Sequence, residues 1–136
     1  MARWIAARRA TLLIPSGPTH DPERKHLHIV LNDPFPDAQG PKVLLACVMS
    51  IPASNVYDPS CTLFPGDHPF VGKHSFIAYN YLRLLDPALL EARVASNHFI
   101  AKPLLDEKCF QYVLTGLQES PFASPKYQRY YLASQS

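Results

Sequence analysis

The sequence predicts an α+β protein that is mainly β, in which the strands come first and amphipathic helices come last. Short apolar runs rich in Val, Ile and Leu occupy the first two thirds of the chain. Most of the fourteen prolines lie between these runs, and proline marks loops and strand ends because it lacks an amide donor and fixes φ. After residue 86 the apolar residues recur at helical spacing instead.

Length and composition favour a single domain over residues 1–136. A chain of 136 residues is close to the commonest size for one hydrophobic core. Apolar residues make up 47% and charged residues 18%, a balance that can bury enough surface to offset chain entropy. We divide the chain into a basic N-terminal arm (1–10), a β-rich core (11–86), a helical part (87–120) and a tail (121–136).

Charge, hydropathy and cysteine content limit the classes of protein. The formal net charge is only +2, so affinity for nucleic acid must come from local patches. No apolar run reaches the roughly 18 residues needed to span a bilayer. Three cysteines without a CxxC pair argue against a secreted disulfide framework. These features predict a cytoplasmic protein with no membrane partner.

Four extended segments form the predicted sheet: residues 11–15, 25–32, 43–51 and 75–82. In the second segment, Leu27 and Ile29 alternate with His26 and His28. This period of two places the leucine and isoleucine on one strongly apolar face and the two histidines on the other.

Two helices are predicted after the strands. Asp86 can cap the first, and Pro87 suits its first position, where an amide has no helical partner anyway. Asp106 caps the second, which stops near Gly116 and Ser120-Pro121. The inner faces are predicted to carry Leu89, Leu90, Arg93 and Val94 in the first helix, and Phe110, Val113, Leu114 and Leu117 in the second. The polar, aromatic tail receives no assignment.

A charged loop at residues 21–26 is the first candidate for chemistry. Arg24 and Lys25 could hold a phosphate, and His26 or His28 could move a proton near neutral pH. The alternative is a solvated turn followed by two surface histidines.

The segment 61–75 is the second candidate. Cys61, His68 and His74 are residue types that bind zinc, but their spacing matches no compact zinc motif and no fourth ligand is evident. We therefore predict no metal and no cofactor. Cys61 with His68 would suit acyl transfer, although no orienting Asn or Asp can be placed. Alternatively, Asp67 and His74 form a hydrogen-bonded pair that only fixes the loop.

The order of these segments resembles a known family. A strand and a basic loop lead into KHLHIVLND (25–33), then VLLACVMSI (43–51), a long variable stretch, and SFIAYNYLRLLD (75–86) before the helices. This order resembles the PemK/MazF toxins of bacterial toxin–antitoxin pairs, in which an arginine-containing loop enters a VxLSxD-like strand. In that family the next strand ends near Thr-Ser, and a later strand ends in Leu-Asp before a helix. The similarity extends over most of residues 11–120, and KPLLD (102–106) resembles the family's IGxLS link.

The resemblance implies a small SH3-like barrel with a C-terminal helix, a homodimer, an antitoxin partner and metal-independent cleavage of single-stranded RNA. Arg24 or Lys25 would correspond to the loop arginine that stabilises charge on the phosphate. Ser50 would correspond to the strand-end Thr or Ser that bonds the scissile phosphate. Where the family has a proline after the arginine, this chain has Lys25-His26, so His26 joins the candidates for the acid.

The chemistry implied is attack of a 2′-hydroxyl on the adjacent phosphate, with fixed cations offsetting the growing charge. The candidate catalytic residues are Arg24, Lys25, His26 and Ser50. The candidate substrate-binding residues are His28, His68, Lys73, His74 and Ser75. Phe70, Phe76, Tyr79 or Tyr81 could stack on bases or belong to the core. The alternative function is a non-catalytic small-barrel module that binds a protein or a nucleic acid through the basic loop.

Overall fold

A curled antiparallel sheet forms the body of the protein in a computed structural model, which describes residues 3–136. Its strands are β1 (Thr11–Pro15), β2 (Lys25–Val30), β3 (Phe35–Asp37), β4 (Gly40–Ser50), β5 (Thr62–Leu63), β6 (Ser75–Leu85) and β7 (Ile100–Lys102). The strand order is β5-β6-β4-β2-β1-β7, and β3 pairs with β4. The sheet makes a half-barrel, and with three helices it confirms the mainly β, α+β class. Within residues 3–136, no helix is long and apolar enough to cross a membrane.

The helices are α1 (Pro87–Ala95), α2 (Glu107–Glu119) and α3 (Pro125–Ser134). Both predicted caps are confirmed: the Asp86 carboxylate accepts from the Ala88 amide at 2.8 Å, and the Asp106 carboxylate accepts from the Cys109 amide at 3.0 Å. In α1, Leu90 is buried, but Leu89 and Arg93 are exposed. Their predicted inward position is wrong because only a narrow stripe of this short helix meets the sheet.

Both faces of the sheet are covered, not one. Leu27 and Ile29 of β2 lie in a first core that includes Phe110 of α2 and Tyr131 of α3. On the second face, Leu12, Ile14, Val30 and Leu45 pack with Leu90 of α1 in a separate cluster. The predicted alternation along β2 is therefore correct, but the face that carries the histidines is also largely buried.

Residues 3–10, predicted as an arm, form no helix and pack against the second core, where Ala6 and Ala10 are buried. Arg9 adopts φ 76° and donates its amide to the Val30 carbonyl at 2.9 Å. The side chains of Arg8 and Arg9 pair with Glu107 at 3.2 and 3.3 Å. These two arginines are therefore tied to α2. Met1 and Ala2 lie outside the described residues.

The tail left unassigned forms α3. Its Tyr131 is buried in the first core, and the Tyr130 hydroxyl lies 2.8 Å from the carbonyl oxygens of both Phe35 and Lys42. These contacts join α3 to the β3–β4 hairpin, so the C-terminal segment belongs to the packed body of the protein.

A wide bulge interrupts the pairing of β4 with β6. Cys47 pairs with Ala78 and Leu45 pairs with Arg83, so Ala46 alone faces residues 79–82 of β6. Tyr79 lies in the first core on the same face as Ile77, and its hydroxyl donates to the Val113 carbonyl at 2.6 Å. After the shift in register, Leu82 continues the first core and Tyr81 is exposed at the second face of the sheet.

Candidate functional site

A cleft of about 280 Å³ opens at one edge of the sheet. All four predicted catalytic residues line it: Arg24, Lys25, His26 and Ser50. Lys73 and Ser75, predicted to bind substrate, line it as well, and Phe70, Val71 and Gly72 form part of its wall. We call it the basic cleft.

The strand directions explain why these distant residues meet. Lys25 is the first residue of β2, Ser50 is the last of β4 and Ser75 is the first of β6. Antiparallel neighbours bring the start of one strand to the end of the next, and Ser50 is directly paired with Ser75. A backbone bond from the Ser16 amide to the Arg24 carbonyl, 2.8 Å long, closes the loop that carries Arg24.

The cleft is positively charged. Arg24, Lys25 and Lys73 line it together with no acidic residue. None of these three cations forms an ion pair within the part of the chain that the structure describes, where only Arg8 and Arg9 do so. A small cavity with three cations and no carboxylate attracts an anion such as phosphate.

The two serines of the cleft have different hydrogen bonds. Ser75 is 5% exposed, and its hydroxyl donates to the Lys73 carbonyl at 2.9 Å. The Ser50 side chain is exposed, and its hydroxyl has no hydrogen-bond partner among residues 3–136. Ser50 can therefore donate to a bound anion, whereas Ser75 fixes the backbone at Lys73.

The His26 ring is oriented by the Ser16 hydroxyl. Its Nδ1 lies 2.8 Å from the Ser16 hydroxyl oxygen, and that hydroxyl donates its single proton to the Ile14 carbonyl at 3.0 Å. With the Ser16 proton on Ile14, Nδ1 donates to Ser16 and Nε2 carries the lone pair. Burial, and then the charge of Arg24, lower the pKa of His26. The ring is neutral at neutral pH and can accept a proton at Nε2.

His28 does not reach the basic cleft. It lines a second cavity, of about 580 Å³, on the other face of the sheet, with Cys47, Met49, Tyr81 and Arg83 among its other walls. We call this the side cavity. Arg24 and His26 line both cavities, so the two are adjacent.

His68 and His74 lie outside both cavities. His68 is buried: its Nε2 lies 2.8 Å from the Pro103 carbonyl oxygen, and its Nδ1 accepts from the Phe70 amide at 3.0 Å. It thereby ties the wall of the basic cleft to the residues after β7. His74 is exposed and stacks on the Phe64 ring, with centroids 4.4 Å apart.

The structure does not bring Cys61, His68 and His74 together. Among the described side chains, no three of His, Cys, Asp and Glu are grouped so that they could hold a metal ion. Burial raises the pKa of the Cys61 thiol to about 11, so the thiol stays protonated and is a poor nucleophile. The Asp67 carboxylate accepts from the Phe64 amide at 2.7 Å, so it fixes the loop without His74.

Cys47, Met49 and Arg83, which line the side cavity, were not predicted as site residues from the sequence. Cys47 could have been predicted from the sequence, because the period of two in neighbouring strands can put Cys47 and His28 on one face of the sheet. The structure pairs these two residues across β2 and β4. Arg83 could not be found in this way because the β6 bulge shifts its register.

No protein-family model and no curated protein matches the sequence. The chemistry of the site must therefore be derived from its geometry. Three cations and one available hydroxyl donor line a single small cleft, and His26 lies where this cleft borders the side cavity. Such a group can bind a phosphodiester and move a proton beside it.

Proposed function

We propose that the protein is a metal-independent endoribonuclease that cleaves single-stranded RNA in the basic cleft. The observation that carries this proposal is that Arg24, Lys25, His26 and Ser50 line one cleft, although they come from the ends of different strands. Assignment to the PemK/MazF toxins and their SH3-like barrel is part of this proposal; it rests on the order of the segments in the sequence, and the half-barrel is compatible with it. That assignment implies action in the cytoplasm as a homodimer, under the control of an antitoxin protein.

The scissile phosphate would lie among Arg24, Lys25 and Lys73, whose charges favour the phosphodiester and the extra negative charge of its transition state. The Ser50 hydroxyl would donate to a non-bridging oxygen. Fixed cations supply here the charge that other nucleases take from a metal ion.

In the chemical step, Nε2 of His26 takes the proton from the ribose 2′-hydroxyl as that oxygen attacks the adjacent phosphorus. A bond forms between the 2′ oxygen and phosphorus, and the bond from phosphorus to the 5′ oxygen breaks. The leaving 5′ oxygen takes a proton from water, and His26 later releases its proton to solvent. The products are a 2′,3′-cyclic phosphate and a 5′-hydroxyl end.

The experiment is incubation of the purified protein, in EDTA, with a single-stranded RNA and with DNA of the same sequence. We expect cleavage of the RNA alone and its loss in His26→Ala. His20→Ala is the matched control, because His20 is an exposed histidine of the same loop and lines neither cavity. Intact RNA with folded protein would overturn the proposal. RNA that is bound but never cleaved would instead favour the non-catalytic binding module.

A further inference from the structure

The side cavity lies on the second face of the sheet, next to the area that α1 covers. Its volume of about 580 Å³ is within the usual range for small-molecule sites. The β6 bulge forms one wall with Tyr81, and the loop after β1 forms the opposite wall with Gly17 and Pro18. The proposed cleavage step uses none of the groups that are unique to this cavity.

His28 presents an unused acceptor to the cavity. The residue is 2% exposed, and its Nδ1 donates to the His26 carbonyl at 3.0 Å, so Nε2 carries the lone pair. Nε2 has no partner among residues 3–136, whereas every fully buried side-chain nitrogen and oxygen in that range has one. Nε2 therefore opens into the cavity that the ring lines. Burial lowers the pKa of His28 to about 4, so the ring stays neutral at neutral pH.

The other walls favour a flat, polar-edged ligand over a cation. Arg83 is exposed, and its charge acts on both His28 and Cys47. Burial raises the pKa of the Cys47 thiol to about 12, so no thiolate is available to balance that charge. Met49 and the Tyr81 ring supply apolar surface. The cavity thus combines a fixed acceptor, a guanidinium donor and apolar walls.

We propose that the side cavity is a nucleobase pocket for the nucleotide next to the scissile phosphate, in which His28 Nε2 accepts from a base N–H and Arg83 donates to a base carbonyl. This inference rests on the proposed ribonuclease function. Arg24 and His26 line both cavities, so a phosphate in the cleft can be followed by a base in the pocket. Guanine, cytosine and uracil carry both an N–H donor and a carbonyl oxygen, whereas adenine has no carbonyl oxygen. The pocket therefore selects against adenine.

The test is an NMR titration of the full chain with the four ribonucleosides, which contain no phosphate and cannot be cleaved. We expect guanosine, cytidine and uridine to shift the His28 and Tyr81 signals, with adenosine bound about tenfold more weakly. Arg83→Gln should weaken binding of the three by about tenfold. Arg129→Gln removes an exposed arginine of α3 and should leave binding unchanged.

A second variant isolates the acceptor. His28→Phe keeps a ring but removes Nε2, and we expect all four nucleosides to bind more weakly, because each base has an N–H donor, while the preference over adenosine persists because Arg83 sets it. The proposed base pocket would be overturned if no nucleoside shifts these signals, or if adenosine binds as tightly as the other three. RNA cleavage measured in parallel separates the two proposals. Cleavage without nucleoside binding overturns the pocket alone, and selective nucleoside binding without cleavage overturns the ribonuclease function alone.

Discussion

Ser50 and Ser75 are paired across β4 and β6 at the basic cleft, but only the Ser50 hydroxyl is available to a ligand. We expect Ser50→Ala to lower the rate of RNA cleavage by about 10²-fold or more, the usual loss when one donor to a developing anion is removed. Ser75→Ala should instead lower the free energy of unfolding by about 1 kcal/mol, because it loses a buried hydrogen bond. Cleavage rates and urea unfolding of both variants test this difference. Equal rates for Ser50→Ala and the wild type would exclude Ser50 from phosphate binding.

The pH dependence of cleavage should report His26. Because the free base is the active form and the pKa is lowered from 6.5, kcat/KM should be constant at neutral pH. It should fall as pH drops through a value below 6.5. Ser16→Ala removes the hydrogen-bond partner of His26 Nδ1. We expect it to reduce kcat and to shift the pH at which kcat/KM falls. If Ser16→Ala has the same kcat and the same pH dependence as the wild type, the hydrogen bond to Ser16 does not orient His26.

The buried His28 should make the protein sensitive to acid. In the unfolded chain it gains a proton near pH 6.5, but in the folded protein only near pH 4. The unfolded state binds more protons between these values, so stability falls as pH decreases, by about 3 kcal/mol in total from this residue. Urea unfolding across this pH range should show a smaller loss in His28→Phe than in the wild type. The control His20→Gln, at an exposed histidine, should keep the wild-type dependence of stability on pH. If His28→Phe also keeps it, His28 is not the source of the acid sensitivity.

The cations of the basic cleft should determine how binding depends on salt. Lys25→Gln and Lys73→Gln should each reduce the slope of log K against log salt by about 0.7 for a single-stranded oligonucleotide. A 2′-deoxy oligonucleotide serves as a ligand that cannot be cleaved, and fluorescence anisotropy gives the affinity. Lys108→Gln, which alters an exposed lysine of α2, is the matched control. The same slope in all four proteins would show that the strand binds elsewhere.

Gly116 should tolerate no side chain. A Cβ at this position would collide with the Tyr79 hydroxyl and with Cys61 Cβ. Although alanine favours a helix, this overlap should make Gly116→Ala less stable by about 1–3 kcal/mol. Thr115→Ala, at an exposed position of the same helix, should be neutral or slightly stabilising. A Gly116→Ala protein as stable as the wild type would show that Tyr79 can move.

Local patterns explain which elements were predictable. Asp86 and Asp106 cap helices through amides two or three residues away, so the necessary information lies in a short stretch of sequence. The alternation in β2 is likewise local. By contrast, α3 is stabilised by contacts of Tyr130 and Tyr131 with distant strands and the core, and a weakly apolar segment gives no such signal.

In the candidate site, too, the residues with a local sequence pattern were predictable and those positioned by distant contacts were not. The basic loop and Ser50 were found because their residue types and positions at strand ends are visible in the sequence. His68 could not be told apart from a ligand, because its partners at Pro103 and Phe70 are set by loop packing. The side cavity was missed because it depends on the register shift in β6 and on which part of the second face α1 covers.

The most direct test of the central claim uses an RNA with a mapped cleavage site and the same RNA with a single 2′-deoxy nucleotide on the 5′ side of that site. If His26 activates the 2′-hydroxyl, the first RNA yields a 2′,3′-cyclic phosphate and a 5′-hydroxyl end, and the second stays intact at that position. Cleavage of the 2′-deoxy RNA at the same position, or products with 5′-phosphate ends, would contradict the account.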